Sequence, residues 1–245
     1  NVQLNPGPRL RFGTLSIKGN ERMRTGRIHK IAGLPEGEVY SPEDLRRSAE
    51  RLRRSGVFSS VTLTEAESIR APDYLDITAT VVEERRRRYS IGAEVSSLDG
   101  IDLTGSWLHR NLLGGGERLR VDAEIGNIGA QSSGVDYGIG VQLDRPATLT
   151  PDTTLSFKTA FAHLDDEDYI ADIVTLGAGF SHFFSEQLTA SVGLEFGYAK
   201  VDDFFDEYTY EYLNLPIGVT WDTRDTKLDA QKGFFLSTQV SPFQG

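Results

Sequence analysis

The sequence predicts a small α+β domain followed by part of an antiparallel transmembrane β-barrel. Three observations support this prediction. Residues 9–85 show the order strand, helix, helix, strand, strand. From residue 86 to residue 245, apolar and polar residues alternate in repeated pieces of about ten residues, the length of a membrane-spanning strand. Finally, no apolar run approaches the roughly 18 residues that a transmembrane helix needs.

Composition and charge support the same division. The 245-residue chain has a formal net charge of −10 and no cysteine, which excludes disulfides and thiolate chemistry. Residues 9–85 carry 14 Lys/Arg and 12 Asp/Glu, whereas residues 86–245 carry 12 and 24. The acidic second part argues against nucleic-acid binding, which needs clustered Lys and Arg. Because the sequence lacks an initiating Met and a signal-peptide pattern, we expect a piece or processed form of a longer protein.

The first domain begins with a predicted strand at residues 9–18. Apolar residues alternate along it, apart from a slip at Gly13-Thr14, and the pair Gly19-Asn20 ends it as a turn. Residues 24–31 then predict a short helix, with isoleucines on one face.

The second helix carries the clearest start signal. Ser41 is a good N-cap, and Pro42 suits the first helical position. Apolar residues then recur with helical spacing as far as Leu52. Strands are predicted at 57–64 and 74–83, which completes the order β-α-α-β-β.

About nine membrane strands are predicted after residue 86. In the first of them, Tyr89, Ile91, Ala93 and Val95 alternate with small or polar residues, so one face is apolar and the other polar. The predicted strands lie near residues 88–97, 101–107, 118–125, 135–143, 154–163, 173–183, 188–199, 211–221 and 233–243.

The polar faces of these strands are assigned to a wet lumen. Charged residues such as Arg120 and Asp122 would be costly against lipid. A soluble β-sandwich would also alternate, but the strand length, the glycines at inward positions and the connections favour the barrel. Aromatic residues near strand ends are expected to form interface girdles. They are Tyr89, Phe183, Phe184, Tyr198, Tyr210 and Tyr212.

The sequence predicts no catalytic, cofactor or metal site. The four histidines (His29, His109, His163 and His182) are dispersed, and no nucleophile elbow, Walker loop or dinucleotide fingerprint occurs in context. The carboxylates of Asp222 and Asp225 flank Arg224, which favours a structural turn over catalysis. Four arginines, Arg85–Arg88, form either a solvated hinge or a contact with lipid phosphates, and the hinge is favoured.

Three phrases in the first domain, IKGNERM, GLPEGEVYSPEDL and RLRRSGVFSSVTL, resemble a POTRA (polypeptide-transport-associated) domain. This resemblance implies a POTRA domain at residues 9–85, and residues 1–8 resemble the tail of a preceding repeat. It also implies peptide binding in the periplasm, in which an exposed sheet edge pairs with an extended client. The alternative is a spacer domain whose edge is blunted, and the sequence gives both equal weight.

Two phrases in the second part, SWLHRNLLGGGERL and WDTRDTKLDAQKG, resemble the BamA/TamA superfamily of outer-membrane assembly proteins, TamA most closely. The resemblance implies a barrel of sixteen strands, of which residues 86–245 supply the N-terminal part. It also implies a periplasmic turn motif formed by Asp222, Arg224, Asp225 and Gly233. A V-R-G-F motif of the later half does not occur, so we do not expect this chain to close a barrel by itself.

By this resemblance, the chain is a non-enzymatic insertion factor in the bacterial outer membrane. Its clients would be unfolded outer-membrane proteins or autotransporters, with a TamB-like periplasmic partner and outer-membrane lipid as further contacts. The client-pairing edge would be the first barrel strand, carried by Tyr89, Ile91, Ala93, Val95 and Ser97. Two alternatives remain: a two-partner-secretion pore, and the barrel anchor of a patatin-like lipase.

Overall fold

The computed structural model describes residues 9–131 and 133–245. These residues form two compact units. Within these residues, the first comprises residues 9–86 with Arg110–Gly116, and the second comprises Arg87–His109 with residues 117–131 and 133–245. The repeat tail that the sequence predicts at residues 1–8 lies outside the described residues.

The first unit has the predicted β-α-α-β-β order. Its elements are β1 (Arg11–Lys18), α1 (Thr25–Ala32), α2 (Pro42–Arg54), β2 (Phe58–Glu65) and β3 (Tyr74–Glu83). The sheet order is β1-β3-β2, with β1 parallel and β2 antiparallel to β3. Within the described part of the chain, neither helix is long and apolar enough to cross a membrane.

The two helices end where local chemistry stops them. Gly33 follows α1 with a left-handed φ of 55°, a conformation that glycine adopts without a Cβ penalty. Ser41 caps α2 by accepting the Asp44 N–H at 3.4 Å, and Pro42 occupies the first turn. The helices cover one face of the sheet, where Phe12 and Leu52 are fully buried.

The slip in the first predicted strand is a β-bulge. The β1–β3 register shifts between Phe12 and Leu15, so that Gly13 and Thr14 lie opposite Asp76. The Asp76 carboxylate accepts the Thr14 N–H at 2.8 Å and pairs with Arg70 at 3.1 Å. It also occupies the space that a Cβ on Gly13 would need. The bulge is therefore held by a carboxylate from the central strand.

The second unit is an antiparallel meander. Its elements are β4 (Arg87–Ser96), β5 (Gly100–Arg110), β6 (Arg118–Ile128), β7 (Asp136–Arg145), β8 (Thr153–Asp165), β9 (Tyr169–Phe183), β10 (Leu188–Asp203), β11 (Glu207–Asn214), β12 (Ile217–Asp222), β13 (Phe235–Val240) and β14 (Phe243–Gln244). Strands from β4 to β10 each pair with the next one along the chain, and the sheet is open, with β4 at one edge.

The last four elements form two strand paths that prolines interrupt. Both β11 and β12 pair with β10 in one continuous register, broken at Pro216, and β13 and β14 continue each other across Pro242. Proline has no N–H to donate to a ladder. Its carbonyl still accepts, from Gly193 at Pro216 and from Leu215 at Pro242, each at 2.9 Å. The unit thus contains the nine strand paths that the sequence predicts.

The two faces of this sheet differ in polarity. One face presents exposed apolar side chains, among them Leu103, Ile139 and Leu194, as a lipid-facing surface does. The opposite face carries polar networks. In one of them, the Asp144 carboxylate accepts from Ser156 at 2.7 Å and pairs with Arg118 at 3.4 Å.

The predicted aromatic girdle is wrong for Tyr210 and Tyr212. In the β10–β11 register Tyr212 lies opposite Gly197, on the polar face of the sheet. Its ring occupies the space above Gly197 that a side chain would fill. Because alternate residues share a face, Tyr210 also lies on the polar face. Tyr212 therefore covers the polar face where Gly197 leaves the backbone bare.

Gly13→Ala is expected to destabilise the first unit by about 1–3 kcal/mol, because its Cβ overlaps the Asp76 carboxylate. The matched control is Gly26→Ala in α1, where a Cβ meets nothing within 4 Å. Alanine has the higher helix propensity, so this control should be neutral or stabilising. Urea unfolding of both variants measures the difference, and equal midpoints would contradict this account of the bulge.

Acid should weaken the first unit as Asp76 takes up a proton. The hydrogen bond from Arg70, together with the Thr14 N–H, lowers the pKa of Asp76 to about 2. Its stabilising contribution is therefore complete above the unfolded-state pKa near 4 and disappears as the pH falls toward 2. Unfolding midpoints of wild type and Asp76→Asn should differ at pH 7 and converge at pH 2. A constant difference across this range would contradict the assignment.

Candidate functional site

The strand β4 forms an open edge of the membrane sheet. Among the described residues it pairs only with β5, from Arg87 opposite His109 to Ser96 opposite Gly100. Ile91 is 90% exposed and Val95 is 78% exposed, far more than the apolar residues inside the sheet. One side of this strand is therefore unpaired along its whole length.

The ladder shows which backbone groups of β4 are free. Arg110 donates its N–H to the Arg86 carbonyl at 2.7 Å. Because hydrogen bonding alternates along an antiparallel strand, the even-numbered residues from Arg88 to Ser96 face β5. The odd-numbered residues turn N–H and C=O toward the open edge. They are Arg87, Tyr89, Ile91, Ala93 and Val95.

Four of the five predicted edge residues thus carry free backbone groups. The fifth, Ser97, is misplaced by the sequence analysis, because β4 ends at Ser96 and Ser97 lies in the following turn. The Ser96 hydroxyl accepts the N–H groups of Leu98 and Asp99 and so closes this turn. The end of a strand is hard to predict to within one residue, because it depends on the geometry of the following turn.

The predicted periplasmic turn motif is brought together by the connection between β12 and β13. The Arg224 guanidinium pairs with both carboxylate oxygens of Asp222, each at 2.8 Å, and donates to the Lys227 carbonyl at 3.0 Å. Gly233 has a φ of 90°, and a Cβ there would overlap the Thr223 carbonyl. These contacts make a closed structural turn.

Asp225 organises the rest of this turn. Its Oδ1 accepts the N–H groups of Thr226, Gln231 and Lys232 at 2.9–3.2 Å. These donors, Lys232 foremost, hold the pKa of Asp225 below its usual value. One carboxylate therefore joins the two ends of a segment that would otherwise be a loose loop.

The POTRA-like sheet of the first unit has two edges, and the β1 edge is partly covered. At β1, Phe12 donates its N–H to Glu38 at 2.9 Å and accepts from Gly37 at 2.8 Å. The Leu15 N–H is taken by the Glu36 carboxylate at 3.1 Å. The segment after α1 therefore covers the first half of this edge.

The other edge, β2, has free backbone groups. Ala66 donates its N–H to the Asp76 carbonyl at 2.9 Å, which sets the alternation of the β2–β3 ladder. Val61, Leu63 and Glu65 consequently turn N–H and C=O away from β3. From the sequence, an exposed edge and a blunted edge were equally favoured. In the structure, β2 has the geometry of the exposed edge.

The arginine run is exposed at all four positions, Arg85 to Arg88. A solvated hinge and a lipid contact both require exposure, so the choice between them stays a prediction.

Of the four histidines, His163 contacts Asp172 at 2.7 Å and His182 contacts Thr153 at 2.8 Å.

Comparison with known proteins identifies the family. The model of the Omp85 superfamily domain matches residues 111–245, more than half of the chain. The chain belongs to the Omp85 superfamily. A POTRA family model, described as a surface antigen variable number repeat, matches residues 10–84. Both matches fall inside the predicted domains 9–85 and 86–245, whose limits stay predictions.

Individual relatives agree with this assignment. The outer membrane protein assembly factor BamA of Nitratidesulfovibrio vulgaris is 29% identical over 100 residues, which are 41% of this chain and 12% of that protein. The crystal structure of Haemophilus ducreyi BamA lacking POTRA domains 1–3 matches with a TM-score of 0.71 and 15% identity, covering 98% of this chain and 49% of that one.

CdiB structures share the fold as well. CdiB from Acinetobacter baumannii matches with a TM-score of 0.68 at 12% identity, and CdiB from Escherichia coli with 0.64 at 15%. Each covers 86% of this chain, which spans 43% and 42% of theirs. The Omp85 chain described here thus spans half or less of these relatives. It lies in the outer membrane with its POTRA domain in the periplasm, and its similarity to TamA in particular stays a prediction.

Asp225→Ala should loosen the turn between β12 and β13 of this Omp85 chain, since three backbone N–H groups lose their acceptor. Limited proteolysis within residues 226–232 is expected to accelerate about fivefold or more, the equivalent of roughly 1 kcal/mol. Asp229→Ala, which removes a carboxylate with one long contact to Gln231, is the control. Equal cleavage of both variants would contradict the role of Asp225.

Proposed function

We propose that this Omp85 chain inserts client β-barrel proteins into the outer membrane by strand pairing. The observation that carries the proposal is the open β4 edge, where five alternate residues present free N–H and C=O groups. An unpaired backbone group in hydrocarbon costs several kcal/mol. A client strand that pairs with β4 would satisfy its own groups and those of β4 together.

The side chains of this edge suit the same role. Tyr89, Ile91, Ala93 and Val95 share one face of β4 and are apolar or aromatic, as a strand in contact with lipid requires. Their side chains would set the depth of the edge in the membrane, while their backbone would pair with the client. Unfolded outer-membrane proteins and autotransporters are the clients that fit.

The POTRA domain would act earlier, in the periplasm. Its open β2 edge offers the same backbone groups to an extended client before insertion, the pairing known as β-augmentation. A TamB-like periplasmic partner and outer-membrane lipid complete the proposed contacts. No catalytic step is required, because strand pairing and apolar burial supply the driving force.

A secretion pore is the second candidate, favoured by the polar face of the membrane sheet. That face carries Arg120 paired with Asp122 at 2.7 Å, together with Arg118 and Asp144. A chain in transit could pass along such a wet wall. A lipase anchor would instead require a catalytic domain before residue 1, which the preceding sequence would reveal.

Site-specific photocrosslinking separates the first two candidates. A photoreactive residue is placed at Ala93 on the β4 edge, at Asp122 on the polar face, or at Ile139 on the lipid face inside the sheet. The whole protein is then irradiated in cells during assembly of an autotransporter client. Strand pairing predicts client adducts at Ala93 and few at Ile139. Adducts at Asp122 without adducts at Ala93 would contradict insertion and support a secretion pore.

Backbone variants of Ala93 provide the matched control. Ala93→Pro removes an edge-facing N–H without removing a hydrogen bond to β5, whereas Ala93→Val enlarges the side chain and keeps the N–H. With the photoreactive residue moved to Ile91 on the same edge, the loss of one pairing hydrogen bond at residue 93 should lower client adducts by roughly fivefold in the proline variant only.

A further inference from the structure

Arg53 occupies one of the backbone groups of the open POTRA edge. This residue lies in the last turn of α2, and its Nη2 donates to the Val61 carbonyl at 3.0 Å. The alternation of the β2–β3 ladder turns that carbonyl away from β3. In the free protein, the Arg53 guanidinium therefore occupies the carbonyl group to which the N–H of a pairing strand would donate.

The remaining groups of the same edge are available. Among the described residues, the N–H groups of Val61 and Leu63 have no hydrogen-bond partner, and the Leu63 side chain is only half-buried. An incoming strand would exchange hydrogen bonds with Val61 and Leu63 as alternate residues. To pair fully at Val61, it must move the Arg53 guanidinium aside.

A displaced guanidinium needs a new partner. The last turn of α2 is basic, with Arg51, Arg53 and Arg54, so it repels a cationic client, and a neutral client offers Arg53 only a neutral acceptor. A carboxylate on the client would accept from it through two parallel hydrogen bonds. A membrane strand can supply such a group, as β7 of this chain does with Asp136 and Asp144.

We propose that Arg53 makes the β2 edge selective for extended client strands that carry a carboxylate. It holds the Val61 carbonyl in the free protein and transfers to the client carboxylate when the strand pairs. The inference rests on the proposed function, because it assumes that β2 pairs with clients. It adds the class of client that this edge prefers and the residue that sets the preference.

Two matched peptides test the selectivity. The first has the sequence DYGIGVQLDR, which is β7 (Asp136–Arg145), and the second carries asparagine in place of both aspartates. A photoreactive residue at Thr62, an exposed position on β2, reports binding at this edge alone. Adduct yield against peptide concentration, with the whole protein in detergent micelles, gives the apparent affinity of each peptide.

Wild type should bind the acidic peptide about fivefold more tightly than the neutral one, because a charged hydrogen bond exceeds a neutral one by roughly 1 kcal/mol. Arg53→Gln should remove this preference and leave the neutral peptide bound at least as tightly as before. Arg47→Ala, on the solvent side of α2 and paired with Glu43, is the control that should keep the preference. An unchanged preference in Arg53→Gln would overturn the inference.

A separate variant reports whether β2 pairs with peptides at all. Leu63→Pro removes an edge-facing N–H and should abolish adducts of both peptides. In unmodified protein, hydrogen exchange at the Leu63 and Glu65 amides should slow when peptide is added, a readout that does not depend on the variant folding. Adducts that persist in Leu63→Pro, with no slowing of exchange, would refute pairing at β2. Slowed exchange without an acidic preference would refute the role of Arg53 alone.

Discussion

Hydrogen bonding between neighbouring backbone strands is the constraint on which the rest of this structure depends. A strand in lipid has no water to satisfy its N–H and C=O groups, so each strand must be paired on both sides. The strands from β5 to β10 satisfy this rule, because each of them pairs with both of its sequence neighbours. The first strand, β4, is left with one unpaired edge, and the proposed pairing with client strands takes place there.

The same constraint explains the irregular positions of the sheet. Pro216 and Pro242 cannot donate, yet the register continues across both because their carbonyls still accept a hydrogen bond. Gly197 leaves the polar face without a side chain, and the Tyr212 ring covers it. Each local exception is compensated by a neighbour on the adjacent strand, so the sheet continues without a gap in pairing.

Carboxylates fix the loops around these sheets. Asp76 holds the bulge in β1, and Asp225 closes the turn between β12 and β13. Glu83 accepts three successive N–H groups, those of Glu21, Arg22 and Met23, at 2.8–3.0 Å. In each case one acidic side chain satisfies backbone donors that no strand reaches. The edges of β2 and β4 stay open by contrast, since no carboxylate among the described residues accepts from their outward N–H groups.

Periodicity and local signals in the sequence determined the kinds of elements and their order. Alternation with period two predicted about nine strands, and Ser41 and Pro42 predicted the start of α2. These features are local, because a residue's own backbone preference or the spacing of its neighbours produces them. The first barrel strand and the closed turn around Arg224 were predicted for the same reason. The alternation slips at Gly13-Thr14, but the bulge there is defined by the register to β3.

Only the tertiary structure decided which groups remain free. The ladder to β5 selects the odd-numbered residues of β4 as the open ones, and places Ser97 outside the strand. The ladder to β10 turns Tyr210 and Tyr212 to the polar face, and the packing of α2 brings Arg53 to Val61. Each outcome depends on a partner that is set by pairing or packing, so the sequence pattern of one segment cannot contain it.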